Sequence, residues 1–487
     1  MRRIVAAAAL ALAAVAGAGC AARPRPCILL VVADTARADR FSTNGYGRPT
    51  TPAIEALGRD GAVYLRAYTP SPWTLPAHAS LFTGLYPSAH GADSGNLRLD
   101  ASLPFLARRL RDAGYRTQAY VANPWVGKDH NFHEGFDAFD EVWRGVRGTE
   151  GDMGAAAVNE KVARWLEWRN GNDEARARPF FIFVNYFEPH LPYNPPEPER
   201  GRFLRPGADP EAVARLRRFK HPDEVRQILA AAGTGPTAGA GPAGGLLGAG
   251  DFAVLSDLYD GEIAYVDRRA GELAALLRSR GLLDDTIVAV TSDHGEMIGE
   301  HGLMDHKLDL FEPVLRIPLV LRYPPAVAPG QRIDAPVMLQ DLYPTLLALA
   351  GVPTGPPAGP GAVWPAEARP LPGASGLDPG PPRGRTQDDP LIAEYALPVE
   401  FLPVMRELVP GFDTSRWERS LVAWQVRGRK LVWASDGRHR LYDLAADPRE
   451  SSGLEASRVI PGDGVARVEA WLGRPGARPP LALGPAR

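Results

Sequence analysis

The chain is short of cysteine, with two in 487 residues, Cys20 and Cys27. So few cannot build a disulfide framework, and if Cys20 carries a lipid no bridge can form at all. The core must therefore hold by packing alone. An excess of charge of one sign is lacking too. Lys plus Arg number 55 against 57 Asp plus Glu, a formal net charge of -2, with no basic stripe or acidic tail. That excludes the electrostatic footprint of a nucleic-acid-binding protein, so no nucleic-acid partner is expected. Beyond the N-terminus no apolar run is long enough to cross a bilayer. No internal repeat is present.

What is there begins with "MRRIVAAAALALAAVAGAGC". Two arginines, an uncharged run of apolar and small residues, and small residues before Cys20 form a secretory signal, assigned to residues 1–20. "GAGC" resembles a bacterial lipoprotein processing box in which Cys20 becomes the lipidated first residue. Gly17 stands where a large aliphatic is usual, which leaves ordinary signal-peptidase cleavage open. The expectation is export, as a periplasmic protein or a membrane-anchored lipoprotein that touches membrane only through its N-terminal lipid.

Four apolar runs of strand length share one design: "CILLVVAD" ends at Asp34, "TQAYVAN" at Asn123, "FFIFVNY" near Asn185 and "TIVAVTSD" at Asp293. Runs apolar on both faces suit strands buried between helix layers. Between them lie the helical stretches "TPAIEALGRDG", "LPFLARRLRDAG", "VNEKVARWLEWR" and "DFAVLSDLYDGEIAYVDRRAGELAALLRSRG". Alternating strands and helices predict a doubly wound α/β domain with a mostly parallel sheet, over residues 24–351. Ligands in such sheets sit beyond the carboxyl ends of the strands. That rule gathers Asp34, Asn123, Asn185 and Asp293 along one edge. A variable insertion is expected at about 195–250 and a Pro/Gly-rich linker at 352–390. Residues 391–487 read as a small antiparallel-sheet subdomain with one helix.

Asp34 alone reads about equally well as a turn cap. The Asp293–His294 pair of "SDHGE" is harder to explain structurally, since it offers a hard oxygen and an imidazole side by side. Thr74 opens "TLPAHASLFTG", a short helix closed by Gly84. It is placed to cap that helix, and equally to act as a nucleophile beside free N–H groups and a positive dipole end that suit a phosphate or sulfate dianion.

The motifs "VVADTARADR", "TLPAHASLFTGLYPSAHG", "FVNYFEPHLPYNPP", "TIVAVTSDHGEMIGEHG" and "HKLDLFEPVLRIPLVL" follow one another in order. The set resembles the sulfatase family of the alkaline-phosphatase superfamily over roughly residues 27–352. Sulfatases open the segment matching "TLPAHASLFTG" with Cys or Ser in a C-x-P-S-R pattern, and that residue is oxidised to formylglycine. Here Thr74 takes the position, with Ala77 and His78 in place of Ser and Arg, so no formylglycine is expected. The resemblance implies metal ligation by Asp34, Thr74, Asp293 and His294, with Thr35 where a second Asp is usual. It implies one divalent ion, manganese or zinc before calcium because the last ligand is His rather than Asn. His190, His306 and Lys307 match positions that grip the ester or protonate the leaving group, and His78 and Asn123 are further candidates for substrate contact. The activity implied is hydrolysis of phosphate or sulfate esters on a small molecule, glycan or lipid, with phosphoesters ahead. The alternatives are an envelope phospho-substituent transferase and a catalytically silent binding protein.

Overall fold

The computed structural model describes residues 24–145, 151–231, 247–354, 368–374, 384–411, 413–455, 464–474 and 477–478. The signal segment, Cys20 and part of both Pro/Gly-rich stretches lie outside them.

The first strands are β1 (Cys27–Ala33), β2 (Ala62–Tyr68), β3 (Arg116–Val121), β4 (Ala138–Glu141), β5 (Phe180–Tyr186) and β6 (Thr286–Ser292). A short hairpin follows, β7 (Met297–Ile298) and β8 (Met304–Asp305), then β9 (Arg316–Arg322), β10 (Gln331–Ile333) and β11 (Val337–Met338). The nine-stranded sheet runs β10-β2-β9-β6-β1-β5-β3-β4, with β11 beside β2. Every residue of β1, β5 and β6 is buried, as the two-faced apolar runs predict. β6, β1, β5 and β3 are parallel neighbours, with Val32 opposite both Asn185 and Thr291 and Val121 also opposite Asn185. Their carboxyl ends are level, which brings Asp34, Asn123, Asn185 and Asp293 to one edge. The sheet is mixed because β9 runs antiparallel to β2 and β6.

The predicted helices are present. Pro52–Arg59, Leu106–Asp112, Ala155–Asn170 and the 31-residue Ala249–Ser279 cover the sheet. Within the expected insertion, the described part forms three helices, Glu199–Phe203, Pro210–Leu216 and His221–Ala231. The described part of the expected linker is pinned to the α/β domain: Arg385 reaches both carboxylate oxygens of Asp341, at 2.9 and 3.0 Å.

The C-terminal sheet comprises β12 (Leu391–Tyr395), β13 (Leu421–Val426), β14 (Arg429–Ala434), β15 (Arg440–Asp443) and β16 (Leu454–Glu455), antiparallel throughout. It is tied to the α/β domain by polar contacts. Glu394 accepts hydrogen bonds from Ser88 N, Ser88 Oγ and Trp471 Nε1 at 2.6–2.7 Å. Lys430, fully buried, meets Glu450 at 2.7 Å and Glu312 at 3.2 Å. Removing one member of a buried ion cluster strands the others without compensation. Lys430→Met is therefore expected to cost about 3–5 kcal/mol, read as a lower denaturation midpoint. A midpoint unchanged from wild type would show the cluster to be dispensable.

Candidate active site

Thr74 opens the helix Thr74–Thr83, which Gly84 closes at φ 74°. That left-handed turn suits glycine, and a Cβ there would meet Tyr343 at 3.0 Å. The capping position belongs to Trp73, and no side-chain cap is made. This corrects the expectation that Thr74 caps its own helix. Its hydroxyl faces the strand edge instead: Oγ1 is 3.3 Å from His294 Nε2 and accepts a long 3.4 Å contact from Asn123 Nδ2.

Asp34 and Asp293 extend the neighbouring strands β1 and β6 by one residue. Asp34, Asp293 and His294 are wholly buried and present ligand atoms within 4.8 Å of one another. His294 Nε2 lies 3.3 Å from Asp293 Oδ2 and 3.9 Å from Asp34 Oδ1. Asp34 Oδ1 and Asp293 Oδ2 have no hydrogen-bond partner. Two buried carboxylate oxygens left facing each other are costly unless a cation lies between them. Burial first, then the charge of Asp293, drives the Asp34 carboxyl well above its usual range. Burial raises Asp293 as well. The donor set, two carboxylates with an imidazole and a hydroxyl beside them, fits one divalent ion.

Local backbone serves this geometry. Thr35 adopts φ 55°, uncommon for a β-branched residue, and donates its N–H to Asp293 Oδ1 at 3.2 Å. Tyr259, unsuspected from sequence, donates to Thr35 O at 2.6 Å and accepts from Arg37 N at 2.9 Å, holding that turn from the long helix. His294 donates Nδ1–H to Gly295 O at 2.9 Å, which leaves Nε2 as the lone-pair atom facing Thr74. Gly295 must be glycine, because a Cβ would lie 2.0 Å from Pro313 O.

Asn123 bridges the set, donating to Asp34 Oδ2 and approaching Thr74. Its own backbone N–H is fixed by Asn185 Oδ1 at 3.0 Å. His78, a candidate substrate contact, is fully buried in the helix that Thr74 opens. Its Nδ1 lies 3.0 Å from Thr74 O and 3.5 Å from Asp293 Oδ2, and its ring packs on Phe132 and Phe183. The structure thus places it behind the carboxylate, on the side of the core.

The ring of His306 lies tilted by 34° against His294 at 4.3 Å between ring centres and stands 5.4 Å from His190. Burial pushes His190, His294 and His306 all down to about 3, so each imidazole is neutral near pH 7. Lys307 follows on the same loop, its Nζ 3.4 Å from Asp305 Oδ2. Burial works against a charge on Asp305, yet the neighbouring His306 and Lys307 hold its carboxyl well below the usual carboxylate range. Glu188, two residues before His190, is pushed up to about 8 by burial and then by Asp152. Asp305 lies between the quoted motifs and Glu296 closes "SDHGE", but the sequence alone assigns neither a role. His130 stands apart from this cluster, its Nδ1 2.6 Å from Leu97 O and its ring stacked on Trp125.

An ion bound at this candidate site would leave a measurable trace in stability. The folded chain holds protons on Asp34 and Asp293 at pH values where the unfolded chain has lost them. Without metal, stability therefore falls as pH rises from the unfolded carboxylate value through the raised folded ones. Added Mn2+ or Zn2+ at a hundredfold over Kd should restore about 2.7 kcal/mol. The gain in melting temperature over an EDTA-treated sample should be larger at about pH 8 than at about pH 5, where protons compete for the same oxygens. A gain independent of pH would remove these carboxylates from the binding site.

The sulfatase family signature matches residues 26–352. Choline-sulfatase of Rhizobium meliloti strain 1021 is 25% identical over 472 residues, covering 88% of this chain and 82% of its own. Arylsulfatase K of Xenopus laevis is 26% identical over 356 residues, covering 68% of this chain and 64% of its own. Among solved structures, the phosphonate monoester hydrolase of Agrobacterium radiobacter superposes with a TM-score of 0.63 at 24% identity, over 92% of this chain and 94% of that one. The corresponding enzyme of Silicibacter pomeroyi gives 0.62 at 21% identity over the same shares, a likeness of fold. With the family signature spanning the whole α/β unit and its strand-edge site, the chain belongs to the sulfatase family, metal-dependent ester hydrolases of the alkaline-phosphatase superfamily.

Proposed function

We propose that the chain is an exported, divalent-metal-dependent hydrolase of phosphoric and sulfuric esters, with phosphoesters its better substrates and Thr74 its nucleophile. One observation carries this reading. The hydroxyl of Thr74 points into the Asp34–Asp293–His294 cluster from the start of its helix, where formylglycine sulfatases carry the oxidised residue. Cys27 cannot substitute, since it is the first residue of β1 and the cluster lies beyond that strand's carboxyl end.

Asp34, Asp293, His294 and Thr74 would hold the ion, with manganese or zinc preferred to calcium by the imidazole. An ion there supplies charge that favours an ionised hydroxyl and offsets the charge growing on the ester oxygens. Asn123 steadies both Asp34 and Thr74 for an in-line approach. As the bond from Thr74 Oγ1 to phosphorus forms, the hydroxyl proton passes to solvent water and the bond from phosphorus to the alcohol oxygen breaks. A second water then cleaves the threonine ester, restoring the hydroxyl and releasing phosphate.

The proton for the alcohol cannot come from His190 or His306 in their present state. Both are neutral, and both commit Nδ1–H elsewhere, to Leu191 O at 2.8 Å and to Asp305 Oδ1 at 2.8 Å. Lys307, an ammonium at the rim, is the donor we assign.

The preference for phosphorus follows from the second step. A formylglycine sulfate collapses through its neighbouring hydroxyl, whereas a threonine sulfate has no such exit. An aryl phosphate should therefore exceed an aryl sulfate in kcat/KM by about tenfold or more, near 1.4 kcal/mol of barrier. The reverse order would overturn the phosphoester assignment. Dominant transfer of a labelled phosphoryl group to an added alcohol, rather than to water, would make the enzyme a transferase. No turnover of either ester with any divalent ion would leave the silent binding protein.

A further inference from the structure

Asp305 stands outside the cluster assigned to the ion and outside every motif read from the sequence. It ends β8, wholly buried, at φ 72°. Its Oδ1 accepts the backbone N–H of His306 at 2.5 Å and lies 2.8 Å from His306 Nδ1, while Oδ2 faces Lys307 Nζ at 3.4 Å. Glu296 Oε1 adds a second carboxylate oxygen 3.3 Å from the same Nδ1. A carboxylate can only accept here, so Nδ1 must carry the hydrogen, and the lone pair of the neutral ring is left on Nε2.

We infer that Asp305 is a positioning residue. One carboxylate, set in a left-handed backbone turn, locks His306 in its Nδ1–H tautomer and anchors Lys307 beside it. The Nε2 edge of His306 is thereby presented as an acceptor to the site shared with His294 and His190, and the Lys307 side chain is held beside that ring. Such partners behind an imidazole tune orientation and tautomer more than binding. The inference rests on the ester-hydrolase reading for its kinetic consequence, but not for its tautomeric one.

Glu296, Asp305 and His306 also lie close enough together to hold an ion. Both oxygens of Asp305 are already taken by donors, the imidazole and backbone N–H on one side and the ammonium on the other, which favours the hydrogen-bonded arrangement.

The test uses two variants of the full chain. Asp305→Gly suits the positive φ and removes the carboxylate, while Asp305→Asn keeps an acceptor for the ring but loses the charge facing Lys307. Nitrogen-15 spectra of the metal-free protein should show one Nδ1–H tautomer for His306 in the wild type and in Asp305→Asn, and a mixture in Asp305→Gly. In the metal-loaded enzyme, Asp305→Gly should lower kcat roughly 10- to 100-fold with KM little changed. Added to His306→Ala, it should cost less than it does alone, since the two act as one unit.

A wild-type spectrum showing the Nε2–H tautomer would overturn the inference. So would an Asp305→Gly enzyme with wild-type kcat, or full additivity with His306→Ala. Two bound equivalents of Zn2+, the second abolished by Glu296→Gln, would replace the positioning role with a second ion site. If the wild type hydrolyses no ester, the functional reading fails, while the tautomer result still decides the placement of Asp305.

Discussion

Thr74→Ala is expected to lower ester hydrolysis on the order of 10⁴-fold while the protein stays folded. Structure sharpens this result. Thr74 makes no cap, so its loss should cost no more than about 1 kcal/mol, the usual effect of a modest buried truncation. Stability and activity are thus separable in this one variant, measured as a melting curve beside kcat/KM. Thr74→Ser keeps a hydroxyl in the same place and should retain a substantial share of activity. In a host that makes formylglycine it should remain unmodified, because Ala77 and His78 break the C-x-P-S-R pattern. An Asp34–Asp293–His294 cluster that works with Ala at position 74 would have to use a different nucleophile.

Asp293→Asn is expected to produce opposite signs in two measurements. Asp293 Oδ1 accepts from Thr35 N and His294 N, at 3.2 and 2.9 Å, and an amide oxygen can keep both bonds. The charge directed at Asp34 disappears, so the metal-free variant should be at least as stable as the metal-free wild type near pH 7. Metal should then add little to its melting temperature, and the activity should fall on the order of 10³-fold. Elemental analysis should find the ion lost. Full metal occupancy and activity in this variant would dissolve the proposed site.

The strand edge was legible in the sequence for a clear reason. Runs such as "CILLVVAD" and "TIVAVTSD" are apolar on both faces, which only buried parallel strands require, and each ends in a polar residue that cannot stay in such a strand. Asp34, Asn123, Asn185 and Asp293 therefore align at one edge by the regularity of the sheet. The antiparallel β9 went unread, because a strand's direction depends on its neighbours and not on its own pattern. Thr74 was placed at the start of its helix correctly, yet the cap was misjudged. The residue before it, Trp73, takes the extended backbone at φ -147° that marks the capping position.

Support for the ligands was the least visible part. Tyr259 lies midway along a helix whose apolar spacing gives ample reason for a buried aromatic, so nothing marks its hydroxyl as the brace of Thr35. Asp305 follows the apolar Leu303 and Met304 directly before His306, and only its positive φ and its double contact reveal a task. Residue type announces a metal ligand, whereas a positioning role is written in geometry. The neutral state of His190 and His306 is likewise a product of burial, and it is the reason Lys307 is the proton donor we propose.

The most direct measurement is to trap the covalent ester. The metal-loaded enzyme is mixed with a slow aryl phosphoester, quenched in acid and digested, and the peptides are mapped by mass. The account predicts one phosphoryl group, on the peptide that begins the Thr74–Thr83 helix, with fragmentation placing it on Thr74 and nothing found in Thr74→Ala. An adduct on any other residue, or full turnover by Thr74→Ala, would contradict it.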